Sequence, residues 1–229
     1  MITINIIQRV FHIRVGASTG TAFAIEQDDR QYLITAAHVV SSLKGSYVVE
    51  LFHEGAWKTL ALSLTGISQN ADIAVFAPPF QLAPSLPTPV SADGVTYGQD
   101  VYFLGFPYGI APEFEGLNRA FPFPLVKKAC LSAFTKENGA SVAFLDGYNN
   151  PGFSGGPVIF QPAGDNSNSR FRIMGVISGY RFANEPVYNG DLATPVSIRA
   201  NTGIIISYDI RHAVDEINRN PNGAKIKAD

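Results

Sequence analysis

The chain has 229 residues, enough for one large domain or two small ones sharing a core. Hydrophobic residues make up 46% and charged residues 16%, which allows a sizeable interior and excludes a disordered chain. A net charge of −2, with no long run of either sign, gives no footing for nucleic-acid or anionic-membrane binding.

Gly 21 and Pro 15 suit short strands joined by turns better than a helical bundle. The single cysteine, Cys130, rules out an internal disulfide and a cysteine-rich metal site, and its neighbours Ala129 and Leu131 predict a buried structural thiol. No apolar run is long enough to span a bilayer, and Met1 to Val10 lacks the basic leader and apolar length of a signal peptide. These features predict a cytoplasmic protein without a membrane partner.

Alternating or β-branched blocks predict strands at Ile2–Ile7, Phe11–Val15, Thr21–Ile25, Tyr32–Thr35, Tyr47–Phe52, Thr59–Leu64 and Ile73–Ala77. Gly16 to Gly20, Asp28-Asp29, Lys44-Gly45, Glu54-Gly55 and Ser68 to Asn70 supply the turns. A proline-rich stretch, Pro78 to Gly94, reads as an extended connector. A second strand series follows at Gln99–Phe103, Leu125–Phe134, Ser141–Leu145, Pro157–Phe160, Phe171–Ser178 and Thr202–Ser207, with loops at Pro107–Gly116 and Ala163–Ser169. From about Asp209 to Asn220, Ile210, Ala213, Val214 and Ile217 share one helical face, and Pro221-Asn222-Gly223 stops the helix. The expectation is an all-β fold of two six-stranded antiparallel barrels with a C-terminal helix: residues 1–83, a linker 84–94, residues 95–208, then a helix and tail 209–229.

Asn150-Pro151-Gly152-Phe153-Ser154-Gly155-Gly156-Pro157-Val158 places a serine among glycines ahead of an apolar run. It reads either as a tight turn into a strand or as a loop that lets a ligand approach a hydroxyl. Of four histidines, His38 ends the run Tyr32 to Thr35 after two alanines and reads either as a hydrogen-bonded core histidine or as an imidazole pointing away from a closely packed turn, while His12, His53 and His212 read as surface or satisfied polar positions. Asp72 enters the apolar strand Ile73 to Phe76. It is either the cap of an Asx turn or a carboxylate that accepts a histidine Nδ1 proton.

Leu33-Ile34-Thr35-Ala36-Ala37-His38, Ala71-Asp72-Ile73-Ala74-Val75 and Gly152-Phe153-Ser154-Gly155-Gly156-Pro157 together resemble the three signature blocks of trypsin/chymotrypsin-like serine peptidases, in that family's order. Thr19 to Ile25 resembles the family's Gly-x-Gly-Phe strand before the histidine, and Leu104-Gly105-Phe106-Pro107-Tyr108-Gly109 and Thr202 to Ser207 followed by a helix are similar to the bacterial HtrA-type branch, although no residues remain for that branch's PDZ domain. The resemblance implies a serine endopeptidase with polypeptide substrates and no cofactor or metal. Ser154 would be the nucleophile, His38 the base and Asp72 the orienting carboxylate, with the N–H groups of Gly152 and Ser154 as oxyanion hole. Asp146 to Asn150 and Ile177 to Tyr180 would line the substrate pocket, with Tyr148, Ser178, Gly179 and Tyr180 as contacts. Tyr148 near the pocket floor argues against a basic P1 residue, and Tyr180 narrows the pocket towards small or medium apolar side chains. Phe153 stands where secreted, cleavage-activated members carry Asp, so activation through a new N-terminus is not expected. Two other readings are a silent or latent peptidase-fold module that binds a peptide or partner, and an α/β-hydrolase esterase. The second is disfavoured by the triad order and the lack of strand–helix alternation. A peptidase confined with its host's proteins also suggests an activating protein that orders the loops around Gly109–Gly116 and Pro151–Phe153.

Overall fold

The structure is a computed structural model that describes residues 2–43, 45, 47–86, 88–114, 116–164 and 171–227. Lys44 and Pro87, and residues 115, 165–169 and 228–229 of the expected loops and tail, lie outside the described residues.

In chain order, a short helix α1 (Ile4–Ile7) precedes β1 (Val10–Val15), β2 (Ser18–Gln27), β3 (Arg30–Thr35), β4 (Tyr47–His53), β5 (Ala56–Ile67) and β6 (Ala74–Ala77). Then come β7 (Asp100–Gly105), β8 (Leu125–Glu137), β9 (Ala140–Asp146), β10 (Pro157–Phe160), β11 (Arg172–Asn189), β12 (Leu192–Asp209), helix α2 (Arg211–Arg219) and β13 (Ala224–Lys225). The first six strands run β3-β2-β1-β4-β5-β6 and close where β3 pairs with β6, Ile34 opposite Val75. The next six form a closed barrel in the order β10-β11-β12-β9-β8-β7. β13 adds to the edge of β3. This is the chymotrypsin-like two-barrel fold.

Strand alternation explains how the barrels join. In β2 and β3, Ala22, Ala24 and Leu33 point into the first barrel, whereas Phe23, Ile25 and Ile34 point outward. The outward set meets Leu104, Phe106, Ile159 and Ile173 of the second barrel and Ile210 and Ile217 of the helical tail in one apolar layer. The connector lies against β11, with Ser91 N–H on the Ile173 carbonyl at 3.0 Å and Ile173 N–H on that of Pro89 at 2.9 Å. Among the described residues no helix is long and apolar enough to cross a membrane.

Several local expectations change. Residues 4–7 are a helical turn rather than a strand, which lets Asn5 hold the buried Arg9: Nε donates to Asn5 O at 3.0 Å and Nη2 to Asn5 Oδ1 at 2.7 Å. The strands expected at 171–178 and 202–207 continue to Asn189 and back from Leu192, forming a long two-stranded arm. That arm has no core beneath it and therefore no apolar alternation to read. Cys130 is half-buried rather than buried. His12 is not a surface or satisfied position: it is 3% exposed, both ring nitrogens lack partners among the described residues, and its ring stacks on Phe106 at 4.8 Å. Burial, with Arg14 nearby, lowers its pKa to about 4.

Candidate active site

The turn after β3, residues Ala37–Val40, is a single 3-10 turn built on the buried Ala36. Small residues let it pack against the barrel while His38 stays exposed. Asp72 sits just ahead of β6, and the β3–β6 pairing brings the two together. His38 Nδ1 is 2.6 Å from Asp72 Oδ2, and the His38 backbone N–H donates to Asp72 Oδ1 at 2.8 Å. The Ser178 hydroxyl donates to Asp72 Oδ2 at 2.6 Å. Burial pushes the Asp72 carboxyl up, but the bonds from His38 and Ser178 outweigh it and leave its pKa below the ordinary carboxylate value.

Ser154 lies on the turn before β10. Its hydroxyl donates to the Ser178 carbonyl at 3.0 Å. Ser178 therefore touches both Asp72, through its side chain, and Ser154, through its backbone. The turn that carries Ser154 reaches the first barrel at very close range. A Cβ on Gly155 would lie 2.1 Å from Thr21 O and 2.3 Å from Thr35 Oγ1, so only glycine fits. Thr21 N–H donates to Ser154 O at 2.9 Å, and the Thr21 hydroxyl donates to Gly152 O at 2.8 Å while accepting from Phe106 N–H at 3.1 Å. This buried threonine, which sequence reasoning does not single out, fastens both sides of the turn. Its signal lies in the Thr19 to Ile25 block.

Gly152 has φ +105, and a side chain there would strike Phe106 O at 2.4 Å. The carbonyl of Pro151 accepts from Tyr108 N–H at 2.9 Å. Because the peptide is trans, the Gly152 N–H points the opposite way. Among the described residues neither the Gly152 nor the Ser154 N–H donates a hydrogen bond, whereas that of Phe153 is spent on Asn150 O. Phe153 is fully buried and packs edge-on against Phe103 with ring centroids 4.8 Å apart.

The expected pocket residues separate. Gly179 and Tyr180 lie half-buried in β11, just beyond Ser178. Tyr148 is 56% exposed, with Lys127 Nζ 5.3 Å from its ring centre, so it stands at the surface rather than at a floor. The buried member of that segment is Asn149. No group of metal-ligating side chains occurs among the described residues.

The sequence profile of the trypsin-like peptidase domain matches residues 20–165. No curated protein sequence matches the chain. Among solved structures it is similar to the active form of the Rv3671c protease from M. tuberculosis, at 19% identity and TM-score 0.61 over 97% of this chain and 87% of that one. The inactive form of that protease fits equally well, at 18% identity and TM-score 0.60 over 94% and 90%, so the overall fold does not separate the two states. The HtrA-type protease AlgW with a tripeptide has TM-score 0.58 at 19% identity, and this chain, 92% of it aligned, spans 59% of its length.

Proposed function

From a chain that belongs to the trypsin-like peptidase family, we infer a serine endopeptidase working through His38, Asp72 and Ser154. The observation that carries this reading is the chain of contacts from His38 through Asp72 and Ser178 to Ser154, beside two N–H groups without partners among the described residues. Asp72 accepts a hydrogen bond from His38 Nδ1–H, which keeps the proton on Nδ1 and leaves Nε2 as the basic nitrogen. The Ser178 carbonyl now holds the Ser154 hydroxyl. An extended substrate pairing with Ser178 to Tyr180 would place its P1 N–H on that same carbonyl and release the hydroxyl towards His38. Ser154 Oγ then attacks the scissile carbonyl as its proton passes to Nε2, and the Gly152 and Ser154 N–H groups receive the oxyanion. His38 returns the proton to the leaving amine. Water, deprotonated by His38, then hydrolyses the acyl-enzyme.

The seat of the Ser154 hydroxyl on a carbonyl favours a second reading, a latent peptidase-fold module that binds a peptide or partner without turnover. Incubation with an unstructured polypeptide such as reduced casein separates them. The endopeptidase reading expects internal cleavage by the wild-type chain and none by Ser154→Ala. An intact substrate in both favours the latent module.

A further inference from the structure

β11 pairs with β10 only as far as Val176, and from Ile177 to Asn189 its one strand partner among the described residues is β12. β12 in turn pairs with β9 only from Ile204 onward. The outer arm is therefore a ribbon of two strands. Such a ribbon is marginal in water until a third strand or a packed face joins it, yet Phe182, Tyr188, Leu192, Val196 and Ile198 all stay exposed along it. Its base is nevertheless held. Arg181 pairs with Glu137, and the Arg181 carbonyl accepts from the Thr202 hydroxyl at 2.9 Å. One step on, Arg199 Cζ lies 3.3 Å from the centre of the Phe182 ring. The stretch from Tyr180 to Glu185 thus offers an ordered open edge about 20 Å long at strand spacing. Pro186 brings a nitrogen without hydrogen to β11 and ends the stretch that can pair, as Pro195 does on β12.

Residues 181–199 carry Arg181, Glu185, Asp191 and Arg199, two charges of each sign, so charge selects no partner. An open backbone edge does select one, because it takes an extended chain whatever its side chains. The edge starts at Ser178, whose carbonyl receives the P1 N–H in the peptidase reading. It continues past Tyr180 in the direction a substrate takes away from the cleaved bond. We propose that β11 from Arg181 to Glu185 is a further binding site, which takes the substrate's upstream segment into the arm as a third, antiparallel strand. Its ligand is an extended polypeptide without proline at the paired positions, because each pairing residue must give an N–H. The inference rests on the peptidase reading and deepens it: cleavage at Ser154 gains from length upstream, well beyond the residues that Ser178 to Tyr180 reach.

The test is kcat/KM for the whole chain on peptides that share one cleaved core and lengthen upstream from P3 to P12. The value should climb about 10- to 100-fold between P4 and P8 as backbone bonds form, then level off where Pro186 ends the edge. N-methylation of the peptide backbone should cancel the climb at alternate upstream positions and spare those between, the period of a strand. In a variant that replaces residues 184–199 by Asn-Gly, joining Ala183 to its cross-strand partner Ala200, the P8-to-P4 ratio should fall to about threefold or below. A wild-type value flat in upstream length, or a climb that survives in the shortened arm, overturns the assignment and leaves the peptidase reading intact. So does a wild-type dimer in sedimentation that the shortened arm breaks, since a second copy then covers the edge. Failure to cleave any peptide, without a fluorophosphonate adduct on Ser154, removes the peptidase reading and this inference with it. If the adduct forms but nothing is turned over, labelling rates of Ser154 by peptidyl phosphonates of the same lengths decide the assignment in the same way. The length and N-methyl series use the unaltered protein, so poor folding of the shortened variant does not blunt them.

Discussion

The two halves of the proposed triad are held in different ways. On the first barrel, Asp72 takes bonds from the His38 ring, the His38 backbone and the Ser178 hydroxyl, so the base is oriented before anything binds. On the second barrel the turn around Ser154 is fastened through backbone atoms, by Thr21 and Tyr108, while the Ser154 hydroxyl rests on the Ser178 carbonyl. The difference assigns preorganisation to the base and leaves the last adjustment to the nucleophile, made when a substrate N–H competes for that carbonyl.

The sharpest way to break this contrast is at the oriented side. Asp72→Asn keeps the shape but loses the carboxylate, and kcat should fall by roughly 10³–10⁴-fold with KM little changed. A fall of less than tenfold would mean that Asp72 only caps its turn. Next in size is Thr21→Val, which removes the hydroxyl from Gly152 O and Phe106 N–H. About a 10- to 100-fold loss in kcat is expected, by analogy with misplacing one oxyanion donor. Thr21→Ser should restore most of it, whereas a purely steric role would not be rescued by the smaller residue.

The smallest effect is on acid stability. His12 lies on the Phe106 side of the turn with a pKa lowered to about 4 by burial and Arg14, against an ordinary value of 6.5. The unfolded chain therefore binds the extra proton first as pH falls, so stability is full above 6.5 and declines towards 4, by up to about 3 kcal/mol. Asp72, with its pKa depressed, adds a further loss below the ordinary carboxylate value. Thermal unfolding between pH 7 and 4 checks the sign. His12→Phe should flatten the decline, and an unchanged slope would remove His12 as its source.

How much of this is legible in the sequence depends on how local each signal is. His38 and Asp72 stand in short blocks whose small and apolar neighbours already state the turn and the strand. The strands around them are legible because each has a core face. Ser178 as a partner of Asp72 is not legible, since the contact joins residues 106 apart in the chain. Thr21 looks like one more strand residue until its bonds across the two barrels are seen. Tyr148 and Asn149 depend on which way a single residue faces, and that phase is set by the pinning of Asn149 to Asn201, which no local pattern carries. The arm after Tyr180 leaves no periodic signal because it covers no core. The helical turn at 4–7 is hidden because the requirement of buried Arg9 for Asn5 overrides a strand-like alternation.

The most direct measurement is the intact mass of the protein after reaction with a fluorophosphonate, followed by peptide mapping. A working triad predicts one adduct on Ser154 in the wild-type chain, none in Ser154→Ala, and a rate reduced by orders of magnitude in His38→Ala. An adduct elsewhere, or labelling of Ser154 at an undiminished rate without His38, would contradict it.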